Sequence, residues 1–138
     1  MEKSYIIREF LDADTQAVLK IQDIGMRSYI ESSGGDTKVL SEEFFRRLTP
    51  STKTFVAEFE SEIVGFLRYQ IIEKNIKLLM AVTKKEWQGK GIARKMVGLA
   101  LKDALEHNCE EVGLAVQPTN KKMYKLYLDL GFTRKNVD

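Results

Sequence analysis

Three strand-like segments follow one another in the middle of the chain and are joined by short polar links. They cover residues 54–59, 63–72 and 76–83, and each link is three residues long. Links this short join neighbouring antiparallel strands, because a parallel crossover needs a dozen or more residues. The centre of the fold is therefore predicted to be an antiparallel sheet.

Directly after the third segment, the spacing of the apolar residues changes. Apolar pairs recur every four residues from Gly91 onward, at 92/93, 96/97, 100/101 and 104/105. This spacing places them on one face of an amphipathic helix. A further strand is predicted at 111–116, and Pro118-Thr119-Asn120 opens a last helix that Gly131 ends.

The N-terminal half is predicted to hold a short strand at 5–10 and two helices. Asp12 or Asp14 can cap the first helix, and Ser41 can cap the second. With a short strand after the last helix, the order is β-α-α-β-β-β-α-β-α-β. This is an α/β (α+β) fold with a mixed, mostly antiparallel sheet of about six strands and four helices. At 138 residues, the chain is expected to form one domain, 1–138.

Charge and composition exclude several classes of protein. The 22 Lys and Arg residues nearly balance 20 Asp and Glu residues, so bulk electrostatics gives no reason to expect nucleic-acid binding. The single cysteine, Cys109, and the single histidine, His107, exclude an internal disulfide and a Cys/His zinc site. Because the sequence lacks an apolar run for a signal peptide or a membrane span, we expect a cytoplasmic protein without metal.

The link between the third strand and the strong helix carries the clearest chemical signal. Gly89 and Gly91 lie where the chain turns into the helix, and a helix N-terminus with glycines before it can seat a phosphate. The basic residues around this turn are Lys84, Lys85, Lys90, Arg94 and Lys95. The residues alone leave two interpretations open: a pyrophosphate site, or a plain strand-to-helix turn with solvated lysines.

Other phosphate and hydrolase motifs fail on the same letters. Arg94 stands where a dinucleotide fingerprint needs its third glycine, and the Gly-Lys-Ser/Thr of a P-loop is absent. The chain also lacks the Gly-x-Ser-x-Gly of serine hydrolases. A nucleotide-binding domain of another fold is therefore disfavoured.

Two motifs resemble those of the GNAT N-acetyltransferase superfamily. The segment Gln88-Gly89-Lys90-Gly91-Ile92-Ala93 is similar to the family's Gln/Arg-x-x-Gly-x-Gly/Ala signature. The segment from Asn120 to Phe132 is similar to its Asn-x-x-Ala-x-x-Leu-Tyr-x-x-x-Gly-Phe helix, with Met123 in place of the alanine. The match covers residues 76–132, and the N-terminal half agrees in the order of its elements.

The resemblance implies acetyl-CoA as the donor, with its pantetheine arm between the fourth and fifth strands. One N–H of the fourth strand would polarise the thioester carbonyl. The family's valine usually stands five residues before the Gln/Arg, whereas Val82 stands six before Gln88, so Thr83 is an alternative for that position. The residues implied for donor binding are Ala81, Val82, Thr83, Gln88, Gly89, Lys90, Gly91, Ile92, Ala93, Arg94 and Asn120. Asn120 could equally cap the last helix.

The resemblance also implies a catalytic role for Tyr127, which stands where the family places a general acid. By itself, a tyrosine on an apolar helix face is more often a core residue. Many relatives have a carboxylate on the fourth strand as the base, but residues 76–83 contain none. Glu58 and Glu73 are candidates, and each also fits a surface position, so no base is assigned.

The predicted function is transfer of an acetyl group from acetyl-CoA to a primary amine on a small molecule or a peptide. The alternative is a non-catalytic acyl-CoA-binding sensor of the same fold. Only six residues follow Phe132, too few for two further strands with their turn. We therefore expect the 111–116 strand to pair across a homodimer, unless the sequence is truncated at its end.

Overall fold

The computed structural model describes residues 4–22, 52–114 and 121–132. Several predicted features lie outside these ranges. They are the helix that begins at Ser41, the strand residue Val116, the donor-binding candidate Asn120 and the part of the last strand that follows Phe132. No helix within the ranges is long and apolar enough to cross a membrane. They also contain no group of three or more His, Cys, Asp or Glu side chains that could hold a metal ion.

The described sheet has five strands in the order β1-β2-β3-β4-β5. Each of the first three neighbouring pairs is antiparallel, and the pairing of β2 with β3 and of β3 with β4 confirms the arrangement predicted from the short links. The last pair, β4 and β5, is parallel. The strands are β1 (Ile6–Glu9), β2 (Thr52–Phe59), β3 (Glu62–Ile72), β4 (Asn75–Thr83) and β5 (Glu111–Leu114).

In the described part of the chain, three α-helices accompany the sheet. Residues 15–22 form the described part of α1, which follows a 3₁₀ turn at Asp12–Asp14. The helix α2 (Ile92–Glu106) begins directly after Gly91, as the apolar spacing predicts, and α3 (Lys121–Asp129) precedes Gly131. The mixed, mostly antiparallel fold class is confirmed. The count differs from about six strands and four helices because the remaining predicted elements lie outside the described residues.

The sheet is buried on both faces, because successive residues of a strand point to opposite sides. Leu67 of β3 belongs to a cluster with Met96 of α2, whereas its neighbour Phe66 belongs to a cluster with Val18 and Ile21 of α1. The long apolar run of β3 is thus explained by two covered faces. The end of β4 therefore lies between α2 on one face of the sheet and α1 on the other.

A β-bulge interrupts the pairing of β4 with β3. Arg68 faces Met80 while Tyr69 faces Leu78, so Leu79 is an extra residue in β4. Bulges bend the strand that carries them and increase its twist. The described part of β5 pairs only with 75–78 of β4, the stretch that ends at this bulge. No strand in the described part of the chain lies beside residues 79–83 on the β5 side.

The strand β5 is the outer strand of the sheet as described, next to β4 alone. Its pairing across a homodimer stays a prediction.

The far end of α2 is tied to the sheet by a polar cluster around Asp103. The Tyr69 hydroxyl donates to its carboxylate at 2.6 Å, and the Lys53 ammonium lies at 3.2 Å. His107 Nδ1 lies 2.8 Å from the other carboxylate oxygen. Burial raises the pKa of Asp103, but the hydrogen bonds from Tyr69 and Lys53 outweigh it, and the pKa falls below its usual value. The helix is therefore held at its C-terminal end, away from the Gly91 turn.

A second ionic cluster ties β1 to the start of α1. Arg8 donates two hydrogen bonds to the Asp14 carboxylate, at 2.8 and 2.9 Å, and one from Nε to Glu58 at 2.9 Å. Asp14 is 8% exposed, and its carboxylate also accepts from the Leu11 N–H at 2.8 Å. The Arg8 hydrogen bonds hold the pKa of Asp14 below its usual value, although burial opposes them.

We expect Asp14→Asn to lower the free energy of unfolding at pH 7 by about 2 kcal/mol, the usual scale for hydrogen bonds to charged groups. Because the folded-state pKa of Asp14 is depressed, its stabilisation is complete above its unfolded pKa of ~4 and is lost as the pH falls through the lower folded value. Urea unfolding between pH 2.5 and 7 should show a shallower acid limb in the variant. Glu60→Gln, which changes an exposed turn carboxylate, is the control. Parallel acid limbs for Asp14→Asn and the wild type would contradict this assignment.

Candidate active site

The chain leaves β4 through a compact turn that ends at the first residue of α2. The Lys84 N–H donates to the Val64 carbonyl at 2.8 Å, which extends the β3–β4 ladder by one residue. A 3₁₀ turn at Lys85–Trp87 follows, and the Gln88 side-chain amide donates to the Thr83 carbonyl at 3.1 Å. The Gln88 side chain thus links this loop back to the last residue of β4.

Trp87 anchors the middle of this turn in the core. It is 4% exposed, and its ring centroid lies 4.9 Å from that of Phe59 on β2. A large side chain buried in this way fixes the polar residues on either side of it. The loop between β4 and α2 is therefore seated on the sheet.

The two glycines adopt the conformation that the turn requires. Gly89 has φ +80° and Gly91 has φ +84°, in the left-handed region that L side chains rarely enter. Gly91 is the N-cap of α2 and supplies no side chain to cap it. A Cβ added at either glycine would meet nothing within 4 Å. Since the first N–H groups of a helix lack intrahelical acceptors, an anion could reach them here through open space.

Two of the basic residues near this turn are already paired with carboxylates. Lys84 Nζ lies 2.7 Å from Glu62 Oε1, and this hydrogen bond lowers the pKa of Glu62. Arg94 lies 3.8 Å from Asp129 of α3, a longer and largely exposed pair. Such exposed pairs contribute little free energy, so a phosphate could displace either carboxylate.

Lys85 and Lys90 differ from their neighbours in this respect. Both are exposed, and neither forms an ion pair within the part of the chain that the structure describes. Lys85 precedes the glycine turn, and Lys90 lies within it, between Gly89 and Gly91. Their charges give this end of α2 a positive potential in addition to the helix dipole.

The backbone of β4 beyond the bulge has one hydrogen-bonding edge facing away from β3. Lys84 donates to Val64, and Gly65 faces Thr83, so alternation directs the Val82 N–H toward β3. The N–H groups of Ala81 and Thr83 point the other way. Among the predicted contacts on this strand, Ala81 and Thr83 can therefore supply donors to a ligand at this edge.

Tyr127 lies on α3 and is 8% exposed. Its ring packs in the core cluster, with the Phe132 ring edge-on at 5.5 Å between centroids. Within residues 4–22, 52–114 and 121–132, its hydroxyl makes no hydrogen bond. Burial raises the pKa of Tyr127 to about 12, so the hydroxyl stays protonated at neutral pH. The ring thus has a packing role, and the hydroxyl remains able to donate to a ligand.

The two glutamates considered as bases lie in different surroundings. Glu58 accepts a hydrogen bond from Arg8 and is held in the cluster between β1 and α1. Glu73 is exposed in the turn before β4. Because β4 has nine residues, this turn lies about 26 Å from Thr83 at ~3.3 Å per residue. The geometry does not bring Glu73 to the glycine turn.

A model of the acetyltransferase (GNAT) family matches residues 18–132. The chain belongs to the GNAT acetyltransferase family.

Two proteins similar to this chain match it over segments of different length. The N-alpha-acetyltransferase MAK3 of Arabidopsis thaliana is 42% identical over 57 residues, 41% of this chain and 30% of the relative. Human N-acetylaspartate synthetase is 27% identical over 109 residues, 78% of this chain and 36% of the relative. The chain thus spans about a third of the length of the curated relatives it matches.

Among solved structures, the PaiA N-acetyltransferase of Thermoplasma acidophilum in complex with coenzyme A has the same fold. The TM-score is 0.82 at 22% sequence identity, and the alignment covers 98% of this chain and 93% of that chain. At this identity the similarity supports the GNAT fold alone.

Sequence reasoning missed three features of this GNAT site. The bulge at Leu79 has no sequence signal, because it depends on how β4 pairs with β3. The 4%-exposed Arg68, opposite Met80, reads in sequence as one polar residue of a strand. Burial lowers the pKa of Arg68 to about 10, and its guanidinium donates to Thr52 Oγ1 at 3.0 Å. Tyr5 contacts the glycine turn from 85 residues away in the sequence, which no local pattern reveals.

Proposed function

We propose that this chain is a single-domain, cytoplasmic N-acetyltransferase that moves the acetyl group of acetyl-CoA to a primary amine. The observation that carries the proposal is the Gly89–Gly91 turn. Two left-handed glycines and a helix start without a side-chain cap lie there in open space, together with Lys85 and Lys90, which form no ion pair among the described residues. This combination suits the pyrophosphate of a CoA donor.

The donor's acyl end would lie along the edge of β4 that faces away from β3. The N–H of Ala81 or Thr83 would donate to the thioester carbonyl, and the donation would strengthen as the oxygen gains charge during attack. A preorganised donor of this kind contributes about 3 to 4 kcal/mol to the stabilisation of a transition state. The Gly89–Gly91 turn would hold the phosphates at the other end.

In the proposed reaction, the amine nitrogen attacks the thioester carbonyl carbon directly. A C–N bond forms, the nitrogen loses a proton to water, and the C–S bond breaks to release CoA. An amine with a pKa of ~10.4 must first lose a proton, which costs about 4 to 5 kcal/mol at pH 7. We assign no protein base, because Glu58 is engaged with Arg8 and Glu73 is distant.

Tyr127 is the proposed acid for the leaving thiolate. Its hydroxyl carries a proton at neutral pH and has no described hydrogen-bond partner that would compete for it. Its pKa of about 12 lies above the ~8.5 of a thiol, so complete transfer to a free thiolate would be uphill. The hydroxyl would therefore act mainly by hydrogen bonding to the sulfur as the C–S bond breaks.

A non-catalytic acyl-CoA sensor is the second candidate, because β4 lacks the carboxylate that many GNAT enzymes use. Both candidates share the glycine turn, and turnover separates them.

The experiment is a screen of acceptors with free-thiol detection. Because the relatives' names point to protein N-termini and to aspartate, the screen would include peptide N-termini and amino acids beside polyamines and aminoglycosides. The proposal predicts CoA release that depends on one acceptor class, together with a product heavier by one acetyl group. Acetyl-CoA binding without turnover on any acceptor would favour the sensor.

A further inference from the structure

Tyr5, the residue immediately before β1, makes three contacts with the turn that precedes α2. Its hydroxyl lies 3.4 Å from the Lys90 carbonyl, toward which it donates. The ammonium of Lys95, in the first turns of α2, lies 5.0 Å from the centroid of its ring. The ring also meets Trp87 edge-on, at 6.4 Å between centroids.

These contacts differ in strength. An O–H···O distance of 3.4 Å is long, so the bond to Lys90 is weak. A cation over an aromatic face contributes about 0.5 to 1 kcal/mol at a partly exposed site. The ring of Tyr5 is therefore expected to contribute more than its hydroxyl.

The contacts span the two glycines of the site. Trp87 precedes Gly89, and Lys90 and Lys95 lie on either side of Gly91. Glycine loses more conformational entropy on ordering than any other residue, and this turn holds two glycines at positive φ. A side chain that ties both ends of the turn to the sheet lowers the entropy that a ligand must remove when it binds.

We propose that Tyr5 is a positioning residue for the diphosphate of the donor. It braces the 87–95 segment through Trp87 and Lys95, so that the N–H groups at the start of α2 face the anion before binding. The inference rests on the proposed function, since it takes acetyl-CoA as the ligand. It assigns to the residue immediately before the first strand a role in donor binding.

The test compares two acetyl donors, one that carries the nucleotide with its diphosphate and one that lacks both. Tyr5→Leu removes the ring face and the hydroxyl but keeps an apolar side chain, whereas Tyr5→Phe keeps the ring. Calorimetric Kd values are measured for acetyl-CoA and for acetyl-pantetheine, which lacks the diphosphate. Ile6→Ala, an exposed neighbour on β1, is the matched control.

The brace predicts that Tyr5→Leu raises the Kd for acetyl-CoA on the order of threefold to tenfold. The Kd for acetyl-pantetheine should change less than twofold, and Tyr5→Phe and Ile6→Ala should resemble the wild type. Equal losses for both donors would show a general structural role and overturn the inference, as would no loss for either. A wild-type protein that does not bind acetyl-CoA would instead overturn the proposed function.

A second variant approaches the same contact from the helix. Lys95→Met removes the cation, and the double variant with Tyr5→Leu should lose less affinity for acetyl-CoA than the product of the two single losses. Fully multiplicative losses would show that Lys95 and Tyr5 act separately and would contradict the brace. If Tyr5→Leu does not fold, the two other single variants are compared instead. Lys95→Met, which removes the cation, should then raise the Kd for acetyl-CoA, whereas Tyr5→Phe, which keeps the ring, should not.

Discussion

Replacing Tyr127 with phenylalanine is expected to lower kcat about 100-fold, the scale for loss of one hydrogen-bond donor to a charge that develops in the transition state. The Kd for acetyl-CoA should change little, because the substitution removes one hydroxyl and leaves the ring packed against Phe132. A fall in kcat with an unchanged Kd is typical of an interaction made in the transition state. Stopped-time thiol release and calorimetric titration measure the two quantities.

Tyr124→Phe is the matched control for this substitution. Tyr124 lies on the same helix and is half-buried, so its loss of a hydroxyl tests the general effect on α3. The pH profile provides a further check. Because burial raises the pKa of Tyr127 to about 12, its deprotonation should place no limb in the rate profile between pH 6 and 10. Wild-type turnover in Tyr127→Phe would leave Tyr127 with a packing role alone.

Gly91→Asp is expected to raise the Kd for acetyl-CoA on the order of 10- to 10³-fold. The new carboxylate would enter the open space in front of α2, where the pyrophosphate is proposed to bind. Two like charges ~4 Å apart repel by about 1 kcal/mol in water and about 4 kcal/mol at the effective dielectric constant of a protein surface. The residue would also be held at φ +84°, which adds strain of about 1 to 2 kcal/mol.

Gly91→Asn separates the charge from the shape. Asparagine has nearly the same size as aspartate and tolerates positive φ, but it is neutral. Its Kd should therefore lie between those of the wild type and Gly91→Asp. Gly98→Ala, inside α2 with nothing within 4 Å of the added Cβ, should leave binding unchanged. A folded Gly91→Asp protein with wild-type affinity would contradict the assignment of the glycine turn as the pyrophosphate site.

The sequence predicts those parts of the fold that depend on neighbouring residues. The short links between β2, β3 and β4 require antiparallel pairing, and the four-residue spacing after Gly91 requires α2. The glycine turn could be located for the same reason, because strand end, glycines and helix start are contiguous.

The remaining features depend on residues far apart in the chain. The bulge at Leu79 arises from the register of β4 against β3, and the Val82 N–H is occupied for the same reason. The sequence left Val82 and Thr83 as alternatives for the family's valine position. Strand pairing directs the Thr83 N–H away from β3. Likewise, the pairing of Lys84 with Glu62 and of Arg94 with Asp129 distinguishes lysines that look equivalent in sequence.

The acceptor could not be predicted because its determinants are not contiguous. We expect acceptor choice to depend on the loop at 29–40, the predicted Phe44/Phe45 helix and the turn at 73–75. The first two lie outside the described residues, as does Asn120. Chemistry of the donor side is therefore better defined than that of the acceptor side.

Amide hydrogen exchange with and without acetyl-CoA tests the central claim most directly, because it reports both whether the donor binds and where. The account predicts that saturating acetyl-CoA slows exchange at the N–H groups of residues 89–94 and at Ala81 and Thr83, while the Asp103 end of α2 changes little. Binding that slows exchange in other segments, but leaves exchange at the glycine turn and at Ala81 and Thr83 unchanged, would contradict it.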